Sequence, residues 1–330
     1  MLMPGKPGMT SVRIVRPPPI MTAAALLAAV LAVAPALAAG KADAPPTCTL
    51  EAGPTRSVVR VIDAETVLLD DQQEVRLIGA LAPRSPDLNP SAQPWRPEEA
   101  ATAALRALVL GRSVSLATSG RLADRYGRRL AHLFVEQGGE RVWVQGELLV
   151  AGHARAYGLP GSYACMPEML AHERVARQAG SALWGNAAYA VRSARRTAEL
   201  MRRRNSYEIV VGTIAKVAVT KARTYINFGA DWRRDFTAGI EGRVLRVNPE
   251  WAKTLSSLEG KRVEVRGWIQ YRNGPYIDIE DPSQIAPVDE TLPGRILPPA
   301  GAMTSSDRDE QQAPDKEKRP APKAPGALDL

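Results

Sequence analysis

The sequence predicts a mainly β chain with added helices: a five-stranded OB-type barrel at 55–187 followed by a second OB-like barrel at 206–290. Two observations point there. Short alternating runs rich in Val, Ile and Thr recur through both regions. In each region a helical stretch falls between the third run and the fourth.

In the first region the stretch Arg56 to Leu81, "RSVVRVIDAETVLLDDQQEVRLIGAL", reads as three strands joined by polar turns. The helix follows in "RPEEAATAALRALVLG", where Pro97 suits a first turn, Glu98 and Glu99 complement the positive helix end, and Gly111 stops it. "RSVSLATSG" and "RRLAHLFVEQ" supply two more strands. "VQGELLVAG" and "MPEMLAHERVARQAGSALW" read as two appended helices, each ending at a glycine. A basic linker helix is expected over 188–205. Strands resume in "YEIVVGTIAKVAV", "RTYINFG" and "DFTAGIEG"; a helical "NPEWAKTLSSLEG" precedes "KRVEVRGWIQ" and "GPYIDIED".

Neither end reads as globular. Lys6, Arg13 and Arg16 precede an apolar run from Met21 to Val33 and the small residues "APALAAG", the order of a cleavable signal peptide over 1–38. An uncleaved anchor is the rival, but the run is shorter than the roughly 20 residues that span a bilayer. A secreted or periplasmic location follows, with no stable membrane span. From 297 to 330 Pro, Ala and mixed charge predominate, a composition expected to stay disordered. Cys48 and Cys165 both lie beyond the cleavage point, where an oxidising compartment lets them pair; two unrelated buried thiols are the alternative. Three scattered histidines give no zinc ligand set. A formal net charge of +8 points to an acidic partner such as nucleic acid, another polyanion or an anionic envelope surface, and says nothing about fold or oligomeric state.

From Ser57 to Trp184 the motifs "VIDAETV", "VRLIGALAP", "DRYGRRLAHLFV" and "HERVARQAGSALW" follow one another in an order that resembles the staphylococcal-nuclease, thermonuclease-like family. In that family a calcium ion and two arginines act on a phosphodiester. The acids come from the first strand pair and the turn after the third strand, and a glutamate just past that turn's proline positions the attacking water. The resemblance places the two arginines at Arg76 and Arg128, with Arg125 and Tyr126 beside them as substrate contacts. Asp63 matches a metal-site acid, and Glu65 stands where a shorter aspartate binds metal directly. Leu81 falls on the turn aspartate, Ala82 on a residue whose carbonyl serves whatever the side chain, and Arg84 on the catalytic glutamate.

The resemblance therefore implies a degenerate calcium site, because a carboxylate is lost opposite a divalent ion that wants six to eight oxygens and a cation is added beside it. For phosphate the change is favourable: Arg76, Arg84 and Arg128 offer planar donor forks to its oxygens. The expected function is binding of nucleic acid or a phosphodiester, with calcium-dependent hydrolysis weakened or lost. An active exported nuclease with a rearranged metal site, drawing on Asp87, is the alternative, and an envelope binding or structural protein a second. Asp70 and Asp71 read as turn formers. In the second region Tyr225, Phe228, Trp232, Trp268, Tyr271 and Tyr276 interleave with Arg223, Arg233, Arg234, Arg266 and Arg272, the composition of a single-stranded nucleic-acid platform or of an ordinary core with a basic rim.

Overall fold

A computed structural model describes residues 48–84 and 96–288. The segments expected as a signal peptide (1–38) and a disordered tail (297–330), and Asp87, lie outside the described residues.

The first barrel is built on one long strand, β1 (Glu51–Asp63), which serves two partners. Its first half pairs antiparallel with β5 (Ser113–Thr118), and its second half, from Val58, with β2 (Thr66–Leu69). Bulges in both ladders bend it, as closing a small barrel requires. β3 (Glu74–Leu77) pairs with β2 and, in parallel, with β6 (Arg129–Gln137); β6 pairs with β5 and closes the ring of five. Val58, Val67, Leu69, Val75, Leu77, Leu116 and Leu133 point inward, each at most 2% exposed.

After β3 the chain makes β4 (Gly79–Leu81), and α1 (Arg96–Val109) buries Ala101, Leu105 and Val109 under the barrel. Gly111, at φ +71°, ends this helix and returns its N–H to the Val58 carbonyl. A Gly138–Gly139 turn joins β6 to β7 (Glu140–Trp143). α2 (Val144–Val150), β8 (Arg155–Tyr157), which pairs with β4, and α3 (Met166–Ala179) complete the unit. Cys48 and Cys165 form a disulfide that ties the entry of β1 to the start of α3.

The expected linker helix is largely absent. Residues 192 and 193 form β9 (Arg192–Ser193), parallel to β10 (Tyr207–Thr213), and only α4 (Thr197–Arg202) is helical. Arg192 explains the difference. It is 2% exposed and donates to Glu199, Glu208 and the carbonyls of Ala187 and Ala188, so a residue within the expected basic linker helix is instead a buried anchor.

Beyond it, β11 (Lys216–Val219), β12 (Arg223–Asn227) and β13 (Thr237–Glu241) pair in sequence. Two short helices, α5 (Gly242–Val247) and α6 (Pro249–Thr254), precede β14 (Arg262–Trp268), which runs antiparallel to β10 over seven residue pairs. β15 (Gln270–Tyr271) turns into β16 (Pro275–Ile279), parallel to β13, and β17 (Ile285–Pro287) covers the edge of β14. Ile226, Phe236, Ile240, Val263, Val265 and Ile277 fill the centre without exposure.

A charged seam joins the two cores. Arg266 on β14 is 4% exposed and donates to both oxygens of Glu173 on α3, to Glu264 and to the Ala156 carbonyl. Arg177 forks onto Glu264, and across the same boundary Arg155 donates to the Tyr207 carbonyl while the Tyr207 hydroxyl donates to the Ala156 carbonyl. The Glu173–Arg266–Glu264–Arg177 part of this network specifies geometry, since each of its charges is paired and hydrogen-bonded.

Candidate functional site

The turn between β1 and β2 presents Asp63 and Glu65. Asp63 Oδ1 accepts the Glu65 N–H at 2.7 Å, an Asx turn that orients the next carboxylate inward. Glu65 is only 2% exposed, and both its oxygens are taken. Oε1 accepts the Ala82 N–H at 2.9 Å from the turn after β4; Oε2 accepts Arg84 Nη2 at 2.8 Å and Arg76 Nη2 at 3.3 Å. Arg76 is the β3 partner of Thr66, so strand register brings it to this corner. Glu65 holds the Arg84 guanidinium above its ordinary pKa, and burial only partly opposes this.

Arg128 arrives from the turn before β6. Asp124 folds that turn: Oδ1 accepts the Tyr126 and Arg128 N–H groups, and Oδ2 accepts Arg128 Nε at 2.8 Å. Burial pushes the Asp124 carboxyl up, but these bonds outweigh it and hold the group below its usual value. Gly127 sits at φ +81°, where the turn requires a glycine. Arg128 Nη1 reaches Thr66 Oγ1 at 3.4 Å, which puts Arg128 on the rim shared with Arg76. Tyr126 is 68% exposed and flanked by Arg125 and Arg128, whose guanidinium carbons lie 4.8 and 5.5 Å from its ring centre. Five of the expected residues, Asp63, Glu65, Arg76, Arg84 and Arg128, thus meet around one corner of the barrel, with Arg125 and Tyr126 beside it.

Among the described residues this corner offers a calcium ion few oxygens. Leu81, buried on β4 opposite Arg155 on β8, contributes no side-chain oxygen, and the Ala82 N–H is committed to Glu65. Among the described residues only Asp63 and Glu65 offer carboxylates here, and a guanidinium nitrogen already stands 2.8 Å from Glu65. Among the described residues no group of three or more His, Cys, Asp or Glu is placed to hold a metal. Asp70 and Asp71 shape their turn by accepting from Ser57, Gln73 and Arg56.

The second region divides the expected aromatic–arginine set. Tyr276 is 1% exposed and, with Asp278, is bonded to Arg223; Phe228 packs on the core and Arg266 belongs to the seam, so none of these three is a surface platform. Trp232, Trp268 and Tyr271 remain exposed. Tyr157 went unnoticed in sequence because β8 has only three residues. Burial raises its phenol, while the Trp268 indole N–H and Arg76 oppose that rise, and its ring stands edge-on to Trp268 with centres 6.2 Å apart.

A closed five-stranded mixed barrel carrying Arg76, Arg128 and the "DRYGR" turn defines a nuclease-type barrel. The family model described as "Staphylococcal nuclease homologue" matches residues 74–186, and the thermonuclease of Staphylococcus hyicus is 30% identical over 135 residues, 40% of this chain and 76% of that protein. The chain belongs to the staphylococcal-nuclease family.

Proposed function

We propose that the chain is an exported protein that binds nucleic acid or another phosphodiester through Arg76, Arg84 and Arg128, with calcium-dependent hydrolysis weakened or lost. The observation that carries this reading is the position of Arg84: its guanidinium bonds Glu65 at 2.8 Å, at the corner where the family resemblance expects acids and an ion. Arg84 keeps 58% of its side chain in solvent, so it can neutralise Glu65 and still present N–H groups to a phosphate. The Asp124-held Arg128 and the exposed Tyr126 extend that surface.

Pairing of β10 with β14, β11 with β12 and β13 with β16 supports reading the second region as an OB-like barrel. The disulfide and the N-terminal signal pattern support export, which N-terminal sequencing of the mature chain tests. In the Arg84→Ala variant, oligonucleotide binding weakens by about 1–3 kcal/mol, as for loss of a charged hydrogen bond, and the salt dependence becomes shallower. Unchanged affinity and slope place Arg84 outside the site. The 30% identity to a protein named thermonuclease favours a second reading, an active nuclease with a rearranged metal site. Digestion of single-stranded DNA with and without calcium decides between them: robust calcium-dependent cleavage by the parent protein establishes the second. Absence of any salt-dependent binding leaves an envelope structural role.

A further inference from the structure

We propose that the two barrels form one continuous track for single-stranded nucleic acid, the strand's phosphates held at the arginine corner and a neighbouring base stacked on Trp268 across the seam. The inference rests on the binding function proposed above and adds a specificity-determining residue from the second region.

The geometry connects the two ends. Arg76 on β3 is followed directly by β4, and Gly79 of β4 pairs with Tyr157 of β8. The Tyr157 ring stands edge-on to Trp268, with ring centres 6.2 Å apart, and both contact the buried Tyr207 at 5.3 and 5.8 Å. Tyr207 fixes this cluster, since its hydroxyl donates to the Ala156 carbonyl and its own carbonyl accepts from Arg155. Trp268 nevertheless leaves 42% of its surface in water, and Tyr271, 66% exposed, and the exposed Arg272 continue in the same direction along the chain. The Glu173–Arg266–Glu264–Arg177 network holds α3 and β14 together, so the spacing between the arginine corner and Trp268 is built in. Glu280, an acid on this side, is engaged by the Tyr163 hydroxyl at 2.9 Å.

Cations that take phosphates beside exposed rings that take bases match a single strand, because a duplex hides its base faces and a protein anion has none to stack. A second-barrel aromatic is then needed only by a ligand long enough to reach it.

Fluorescence anisotropy with a labelled dinucleotide and with a single strand of about 8 nucleotides, within the usual span of one such barrel, tests this. Trp268→Ala weakens the longer strand about 5- to 100-fold, the worth of one stacked base, and leaves the dinucleotide unchanged; Arg84→Ala weakens both. If Arg84→Ala weakens both and Trp268→Ala neither, the track is refuted while the arginine site stands. If Arg84→Ala changes neither, the binding site itself is refuted. Equal loss on both ligands in Trp268→Ala shows damage transmitted through Tyr157 and also refutes the track. An abasic strand of the same length that binds the parent as tightly as the natural one does the same. Photocrosslinking a 5-bromouracil strand to the unaltered protein needs no folded variant: a crosslinked peptide containing Trp268 supports the track, and crosslinks confined to the first barrel overturn it.

Discussion

Replacing Glu65 by Gln separates the two readings of the arginine corner by sign. Glu65 is nearly isosteric with Gln, and one amide oxygen can go on accepting the Ala82 N–H. What disappears is a negative charge 2.8 Å from Arg84 and 3.3 Å from Arg76. A phosphate seated on those guanidinium groups, about 5 Å from the carboxylate, is repelled by it by about 3 kcal/mol at an effective dielectric of 20 and about 1 kcal/mol in bulk water. Because Arg84 is largely solvent-exposed, the lower figure governs. Glu65→Gln therefore tightens oligonucleotide binding by about 5-fold or somewhat more, and the slope of log affinity against log salt steepens by roughly one phosphate contact. The same change costs about 1–3 kcal/mol of stability, since the amide nitrogen cannot accept from Arg84 or Arg76 and both charge-assisted bonds are lost. Anisotropy across a salt series measures the first effect and urea denaturation the second. If Glu65 instead served as a metal ligand, its amide would lower calcium-dependent binding and cleavage. Weaker binding by the folded variant refutes the reasoning.

Two further outcomes concern the frame that holds the site. Glu264 lies between Arg266 and Arg177; burial pushes its carboxyl up, but the two guanidinium groups prevail and bring it from 4.5 down to about 2. A depressed carboxylate stabilises the fold above its unfolded value and loses that contribution as pH falls, so stability drops between pH 4.5 and about 2 by on the order of 3 kcal/mol. Glu264→Gln flattens that part of the curve, and an unchanged acid profile in urea melts would remove Glu264 from the account. Reducing the Cys48–Cys165 bond frees a loop of 117 residues, worth about 5 kcal/mol in chain entropy, so the urea midpoint falls on adding reductant; an unmoved midpoint assigns the bond no structural weight.

The barrel was legible because Val, Ile and Leu alternate through β1, β2, β3, β5 and β6 and because Gly111 and Gly180 mark helix ends. β7 carried a signal, the Gly138–Gly139 pair of a tight hairpin, but β4 and β8 are three residues each, too short for any period to declare itself. The linker failed for a different reason. Composition counts Arg192 as a surface charge, and only the fold supplies the two carboxylates and two carbonyls that bury it. Site residues were legible as a set, since Asp63, Glu65, Arg76, Arg84 and Arg128 do converge, yet their partners were not. Sequence alone reads Arg84 as a repelling cation beside a degraded metal site; its bond to Glu65 makes it the counterion that site now has. The second-region aromatics divided along burial, which spacing does not report: Tyr276 and Trp268 are both ring residues near arginines, and one is 1% exposed and the other 42%.

That substitution of counterion has a chemical consequence. A divalent ion held by carboxylates keeps coordination positions for water and for phosphate oxygen together, and polarises both. A guanidinium offers donors in one plane, cannot accept a lone pair, and does not deprotonate, so it can fix and neutralise a phosphate but cannot generate a nucleophile. Arg84 is held further from deprotonation by Glu65, while Glu65, with Oε1 on the Ala82 N–H and Oε2 on two arginines, is in turn poorly placed to take a proton from water. On the proposed reading the corner keeps the positioning half of phosphoryl chemistry through Arg76, Arg84 and Arg128, and the activating half is weakened or lost. On that reading a ligand held and not cut gains from further contacts, and the exposed ring of Trp268 beside Tyr157 offers one outside the first barrel.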